Sequence, residues 1–155
     1  MPNKEKEKLI LHLIKIETVL ARLYSGFSTR NNFTVPVKKF WTTIAKEEEL
    51  HGNILNKIHQ AIKDDKTTVT LDIQIESLKK FIAKVNELFR KASSEDLEES
   101  EAYSIGATIE MELDESGFTK MIQTSDEKLN RLLKMVENDT KKHRVMLINY
   151  SRGVR

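Results

Sequence analysis

Phe40-Trp41-Thr42-Thr43-Ile44-Ala45-Lys46-Glu47-Glu48-Glu49-Leu50-His51, continued by Gly52-Asn53-Ile54-Leu55-Asn56-Lys57-Ile58, decides how this chain folds. Trp41, Ile44, Ala45, Leu55, Ile58 and Ile62 recur every three or four positions, the period of a helix with one face in a core. Glu48 and His51 fall on that same face, one turn apart. An ionisable Glu-x-x-His pair therefore looks inward among aliphatic side chains.

Three other segments repeat the pattern. Near the N-terminus the apolar stripe Ile10, Leu13, Ile14, Leu20, Ala21, Tyr24 is interrupted by Glu17. A third stripe runs Tyr103, Gly106, Ala107, Glu110, Leu113, Gly117, Met121. A fourth runs Leu129, Leu132, Leu133, Val136, Thr140, His143, Leu147. Glu48 stands 31 positions after Glu17, with turn residues between them (Ser25-Gly26, Asn31-Asn32, Pro36), and His143 stands 33 after Glu110, around Gln123-Thr124-Ser125-Asp126. Folded as antiparallel hairpins, both pairs come to one level, roughly 24 Å from their bends.

The rest of the chain fits an all-α architecture. Five Gly, two Pro and sustained helical periodicity predict helices near 3–27, 36–63, 72–91, 95–122 and 126–150, with almost no support for strands. Asn3, Thr34 (with Pro36 just inside), Ser94 and Ser125 are the expected N-caps. The 72–91 stripe of Ile75, Leu78, Ile82, Val85 and Phe89 carries no ionisable residue. Its roughly 30 Å of helix suits a crossover running along the outside of an antiparallel four-helix bundle, so that the second hairpin starts at the opposite end. One domain, residues 1–155, accounts for the length.

With that crossover, counting seven residues from the ionisable level towards the first bend reaches Tyr24, Trp41, Tyr103 and Tyr150, all the Tyr and Trp of the chain. Counting seven the other way reaches Ile10, Leu55, Gly117 and Val136. The level is expected to have an aromatic roof and an aliphatic floor, although amphipathic aromatics also favour the wet end of a bundle for their own hydrogen bonds.

Composition excludes several chemistries. There is no Cys, which removes disulfides, thiolate metal sites and thiol catalysis. Charge is balanced, 26 basic against 24 acidic residues, so nothing argues for nucleic acid; Lys141-Lys142-His143-Arg144 and the Ser151–Arg155 tail read as solvated helix end. No stretch approaches about 18 apolar residues and the charged N-terminus has no signal-like region, so a soluble, cytoplasmic protein without a membrane partner is expected.

Facing carboxylates in a core are unfavourable by several kcal/mol each, against a total domain stability of about 5–15 kcal/mol. No Lys or Arg occupies the four stripes. A divalent cation held by Glu17, Glu48, His51, Glu110 and His143 supplies the missing positive charge. His12 reads as solvent-facing and His59 lies far from the level; Glu47 and Glu49 read as solvent-facing neighbours of Glu48.

On these residues the chain resembles the rubrerythrin and bacterioferritin branch of the ferritin-like superfamily. Glu17 resembles the lone first-helix glutamate, Glu48-Glu49-Leu50-His51 the second-helix Glu-x-x-His motif, Glu110 the third-helix glutamate, and His143 the histidine of a second Glu-x-x-His. Phe40-Trp41 ahead of Ile44-Ala45-Lys46-Glu47-Glu48 is typical of the same group. The resemblance implies a ferritin-like bundle, an iron cofactor of one or two ions (manganese or zinc being alternatives), and reaction with dioxygen, hydrogen peroxide or ferrous iron. Tyr24, Trp41, Tyr103 and Thr140 would line the ligands.

The pattern is incomplete. Thr140 stands where the second bridging glutamate is expected, and Ala107 where rubrerythrins carry a further glutamate. Asp139, Glu137 and Asp114 are the nearest stand-ins, and the metal position beside His143 is expected to be the weaker. Without a rubredoxin-like segment, redox turnover requires an external electron donor. The alternative is a metal-free bundle serving as an interaction or structural module, and a homodimer through a bundle face is compatible with either.

Overall fold

The computed structural model describes residues 1–153; Val154 and Arg155, the end of the basic tail, lie outside the described residues. Its elements are α1 (Asn3–Ser28), α2 (Val35–Asp64), β1 (Val69–Leu71), α3 (Ile75–Ala92), α4 (Glu99–Ser116), a 3-10 turn (Phe118–Met121), β2 (Ile122–Thr124) and α5 (Glu127–Ser151). The all-α class is as expected. No helix among the described residues is long and apolar enough to cross a membrane.

α1 pairs closely with α2, and α4 with α5, while α2 also packs on α5. α3 lies against α1 and α4 through Leu78, Phe81 and Val85, and its remaining faces are largely exposed. It runs between the two ends of the molecule. Near its start, Asn3 at the beginning of α1 donates to Asp65 at the end of α2 (3.3 Å). Beyond its far end, Arg30 of the α1–α2 turn donates to the carbonyls of Ala92 and Ser94 (2.6 and 2.7 Å). Glu99 of α4 accepts from the amide and hydroxyl of Thr34 there (2.7 and 3.0 Å).

Several boundaries differ from the sequence reading. Gly117 adopts φ +62°, ending α4 at Ser116, six residues early, so Met121 leaves the core stripe and is exposed. Asn3 is a first-turn residue, not a cap. Ser94 gives way to Glu98, which forms a reciprocal capping box with Glu101, and Ser125 to Asp126, whose carboxylate accepts from the amides of Lys128 and Leu129. Ser125 instead pairs with Thr68 through both its amide and its hydroxyl, extending a small antiparallel sheet in which Val69 faces Thr124 and Leu71 faces Ile122. Strands of three residues are too short to show alternation, and their pairing spans more than fifty residues of chain. The sheet fastens the connector before α3 to the turn before α5.

One glycine controls the packing above the buried acids. A Cβ on Gly106 would lie 2.9 Å from the ring of Trp41 and 3.3 Å from Leu147. Glycine allows the indole to press against the backbone of α4. Gly106→Ala should therefore destabilise the protein by about 1–3 kcal/mol through overpacking, despite the roughly 1 kcal/mol that alanine contributes to helix propensity. Urea unfolding of the variant measures this, and equal or greater stability would contradict it.

Candidate metal centre

Glu17 on α1, Glu48 and His51 on α2, Glu110 on α4 and His143 on α5 converge at one level, and all five are buried. Each occupies a position that helical periodicity turns into the core. They form two groups whose ligand atoms lie within 4.8 Å of one another, Glu17–Glu48–His51 and Glu48–Glu110–His143. Glu48 is common to both and divides its oxygens between them: Oε2 lies 3.2 Å from His51 Nδ1, and Oε1 3.1 Å from His143 Nδ1. Glu17 Oε2 lies 4.0 Å from His51 Nδ1, and Glu110 Oε1 3.4 Å from His143 Nδ1. The two imidazoles are stacked with centroids 6.0 Å apart. The geometry gives each position the same donors, one terminal carboxylate, one imidazole and a shared carboxylate. The expected inequality between the His51 and His143 sides is absent from the donor count.

The outer nitrogens reveal a crossed arrangement. His51 Nε2 pairs with Asp139 of α5 at 3.0 Å, and His143 Nε2 pairs with Glu47 of α2. Each acid stands four residues ahead of the histidine on its own helix and holds the histidine of the other. Such a partner on the outer nitrogen fixes the ring's orientation and leaves the inner nitrogen for a metal. Glu47 is thus part of the centre and only half solvent-facing, contrary to the sequence reading. The signal was present as acid and histidine at i and i+4 on both α2 and α5.

None of the three suggested stand-ins reaches the ligand groups. Asp139 serves His51 from outside, Glu137 faces Lys120, Lys134 and Lys141, and Asp114 accepts from Arg144 at 2.9 Å. Thr140 is buried beside the centre, but its hydroxyl donates to the Val136 carbonyl of its own helix (3.0 Å). Thr140, Glu17, Leu13, Leu55 and Leu113 line a cavity of about 20 Å³, room for about one water. Ala107 is buried as well and offers no donor. His12 bonds the Lys8 carbonyl and His59 faces Glu7, both away from the centre.

The aromatic layer is present and larger than expected. Tyr24 donates to Glu110 Oε1 (3.1 Å); ring centroids then follow at 5.1 Å to Trp41, 5.6 Å on to Tyr103 and 5.2 Å on to Tyr150, with Phe27 and Phe40 packed against the set. Trp41 is fully buried and its indole N–H has no partner, so it is not held there by a polar contact at the wet end. Ile10, Leu55 and Val136 form the aliphatic floor, while Gly117 ends its helix instead.

Without a metal the charges settle by proton sharing. Burial, with the neighbouring Glu48 carboxylate, raises Glu17 well above the usual range and Glu110 to about 8. Burial acts in the same direction on Glu48, but hydrogen bonds from His143 and His51 outweigh it and hold that carboxyl well below its usual range. Burial disfavours the charged imidazoles; their carboxylate partners outweigh it, raising His51 and pushing His143 to about 12. Near pH 6 Glu48 is therefore the anion between two imidazolium rings, with Glu17 and Glu110 protonated.

This predicts a pH slope for the metal-free protein. Over the window from the usual 4.5 of a glutamate to about 8, folded Glu110 keeps a proton that the unfolded chain releases; above 6.5 His143 does the same. Both contributions are present at low pH and are lost as pH rises. Urea unfolding in chelator should show greater stability near pH 6 than near pH 9; a flat or rising profile would contradict the assignment.

No protein-family model, curated protein or solved structure matches the chain. The functional reading therefore stands on the geometry of the centre.

Proposed function

We propose that this protein binds two divalent metal ions in a ferritin-like helical bundle, one between Glu17, Glu48 and His51 and the other between Glu48, Glu110 and His143. The observation that carries the reading is the division of Glu48's two oxygens between two groups of equal composition. Glu17 Oε2 and Glu110 Oε2 are buried without a hydrogen-bond partner, which leaves both oxygens free to take a cation. Both imidazoles turn Nδ1 to the centre and keep Nε2 on a carboxylate, the orientation that metal-binding histidines adopt.

Oxygen and imidazole donors without sulfur suit iron(II), manganese(II) or zinc(II). We favour iron. Bound as a pair, iron(II) would supply electrons to dioxygen or hydrogen peroxide and be oxidised in doing so. Around it, Glu48 would hold both positions at a common carboxylate, while Asp139 and Glu47 would keep the outer protons of His51 and His143 in place. Tyr24 would orient Glu110, and the buried aromatic layer would keep water from that side. Repeated turnover would draw on an electron donor from outside the chain. Binding must displace the protons of Glu17, Glu110 and both Nδ1 atoms, so it releases acid and weakens as pH falls.

Elemental analysis of protein purified without chelator or metal-binding tag, followed by titration of the metal-free form with ferrous iron or cobalt(II), tests the reading. Two ions per chain, bound with proton release, are expected. A chain that takes up no metal would instead support the interaction module, and a single ion would refute the sharing of Glu48.

A further inference from the structure

The faces of the bundle cover the centre unequally. α3 lies over α1 and α4. Between α2 and α5 the Glu47–His143 and Asp139–His51 pairs close over the rings. Between α1 and α2 the surface opens instead into a cleft of about 560 Å³, with Glu17 and Glu48 at its floor and Glu49, Gly52, Asn53 and Arg22 around them. Residual solvent contact of the five ligand residues follows the same division: Glu17 keeps 4% and Glu48 1%, while His51, Glu110 and His143 keep none. The floor also holds an unpartnered acceptor, since Glu17 Oε2 is buried without a hydrogen bond.

Gly52 shapes the opening. A Cβ there would meet Glu17 Cβ at 3.8 Å, ordinary contact, so alanine fits and any longer side chain must project into the cleft or displace Glu17. The smaller cavity beside Thr140 also touches Glu17, but at about 20 Å³ it holds about one water and does not admit a hydrated cation. With Glu17 protonated, the carboxylates of Glu48 and Glu49 still outweigh the one guanidinium, Arg22, among the residues lining the cleft, the sign that attracts a divalent cation.

We propose that the α1–α2 cleft is the route by which a hydrated divalent cation reaches the centre, with Gly52 as its aperture and Glu49 as the charge that draws the ion to its rim. This rests on the metal-binding reading above. Glu49 is exposed and belongs to neither ligand group, so it acts on the rate of arrival and not on the final coordination.

Stopped-flow uptake of cobalt(II) by the metal-free full-length chain, read by absorbance, tests the route. Gly52→Leu should slow uptake by more than about tenfold while reaching the wild-type endpoint, because the ion must then wait for the helices to part; Gly52→Ala should stay near wild type. Glu49→Lys should slow uptake by about tenfold at low ionic strength, with the effect fading in salt. Glu76→Lys on α3, the same change in net charge, should not. A folded Gly52→Leu protein with wild-type uptake overturns the route. Should Gly52→Leu fail to fold or lose its endpoint, the lysine pair decides: equal rates for Glu49→Lys and Glu76→Lys overturn it, and selective slowing upholds it. Absence of uptake by the wild type overturns the metal reading itself, whereas unchanged rates with full uptake overturn the route alone.

Discussion

Ferrous iron or manganese(II) should raise the melting temperature of the wild-type protein, and Glu48→Gln should abolish that rise. A ligand that binds the folded state alone stabilises it by about 2.7 kcal/mol at a hundredfold excess over its dissociation constant. In a chain of this size each kcal/mol shifts the transition by roughly 2–4 °C, so a wild-type rise of about 5–10 °C is expected. Glutamine keeps the shape of Glu48 but cannot place an anionic oxygen against both His51 and His143, and both ligand groups lose their common member. The variant's metal-free stability should fall too, because two imidazolium rings lose the anion between them. For that reason the metal-dependent difference is the measurement that counts. Glu49→Gln, one position away but exposed, should retain the full rise. A normal rise in Glu48→Gln, by calorimetry or circular dichroism, would show that the metal sits elsewhere.

Thr140→Glu should act with opposite signs on the two forms of the protein. Thr140 is 7% exposed and lies beside Glu17 among Leu13, Leu55 and Leu113. A fourth carboxyl there meets the protonated Glu17 and a cavity with room for about one water. No Lys or Arg is buried among the described residues. An uncompensated buried charge costs several kcal/mol, so the metal-free variant should lose about 3–5 kcal/mol or hold the new carboxyl protonated. With metal present, that carboxylate completes a Glu-x-x-His pair with His143 and adds an anionic donor to the centre. The metal-induced rise should then exceed that of the wild type, and turnover of dioxygen or peroxide should increase with it. Unchanged metal-free stability together with an unchanged metal response would mean that the new side chain had turned to solvent.

Both predictions draw on features of different legibility. The burial of Glu17, Glu48, His51, Glu110 and His143, and their common level, follow from helical period and from equal distances to the two turns. These are properties of each helix and hairpin separately, and the linear order of residues records them. The role of α3 was legible for the same reason, since a stripe free of ionisable residues supplies nothing to the centre.

Other features belong to no single helix. Glu47 reads as one more acid in a charged run until α5 is placed beside α2; only then does it meet His143, 96 residues away, while Asp139 meets His51 across 88. Which acid faces which imidazole depends on the rotation and stagger of two packed helices, and periodicity within one helix is blind to both. The β1–β2 pairing is likewise long-range, and the early end of α4 depends on the left-handed conformation of Gly117, which the preceding helical stripe does not reveal. By itself the sequence determined which side chains are buried and at what height, because amphipathic period is local. The tertiary structure alone decided that each histidine is held by the opposite helix and that the α1–α2 face is the open one, because both arise from the relative placement of whole helices.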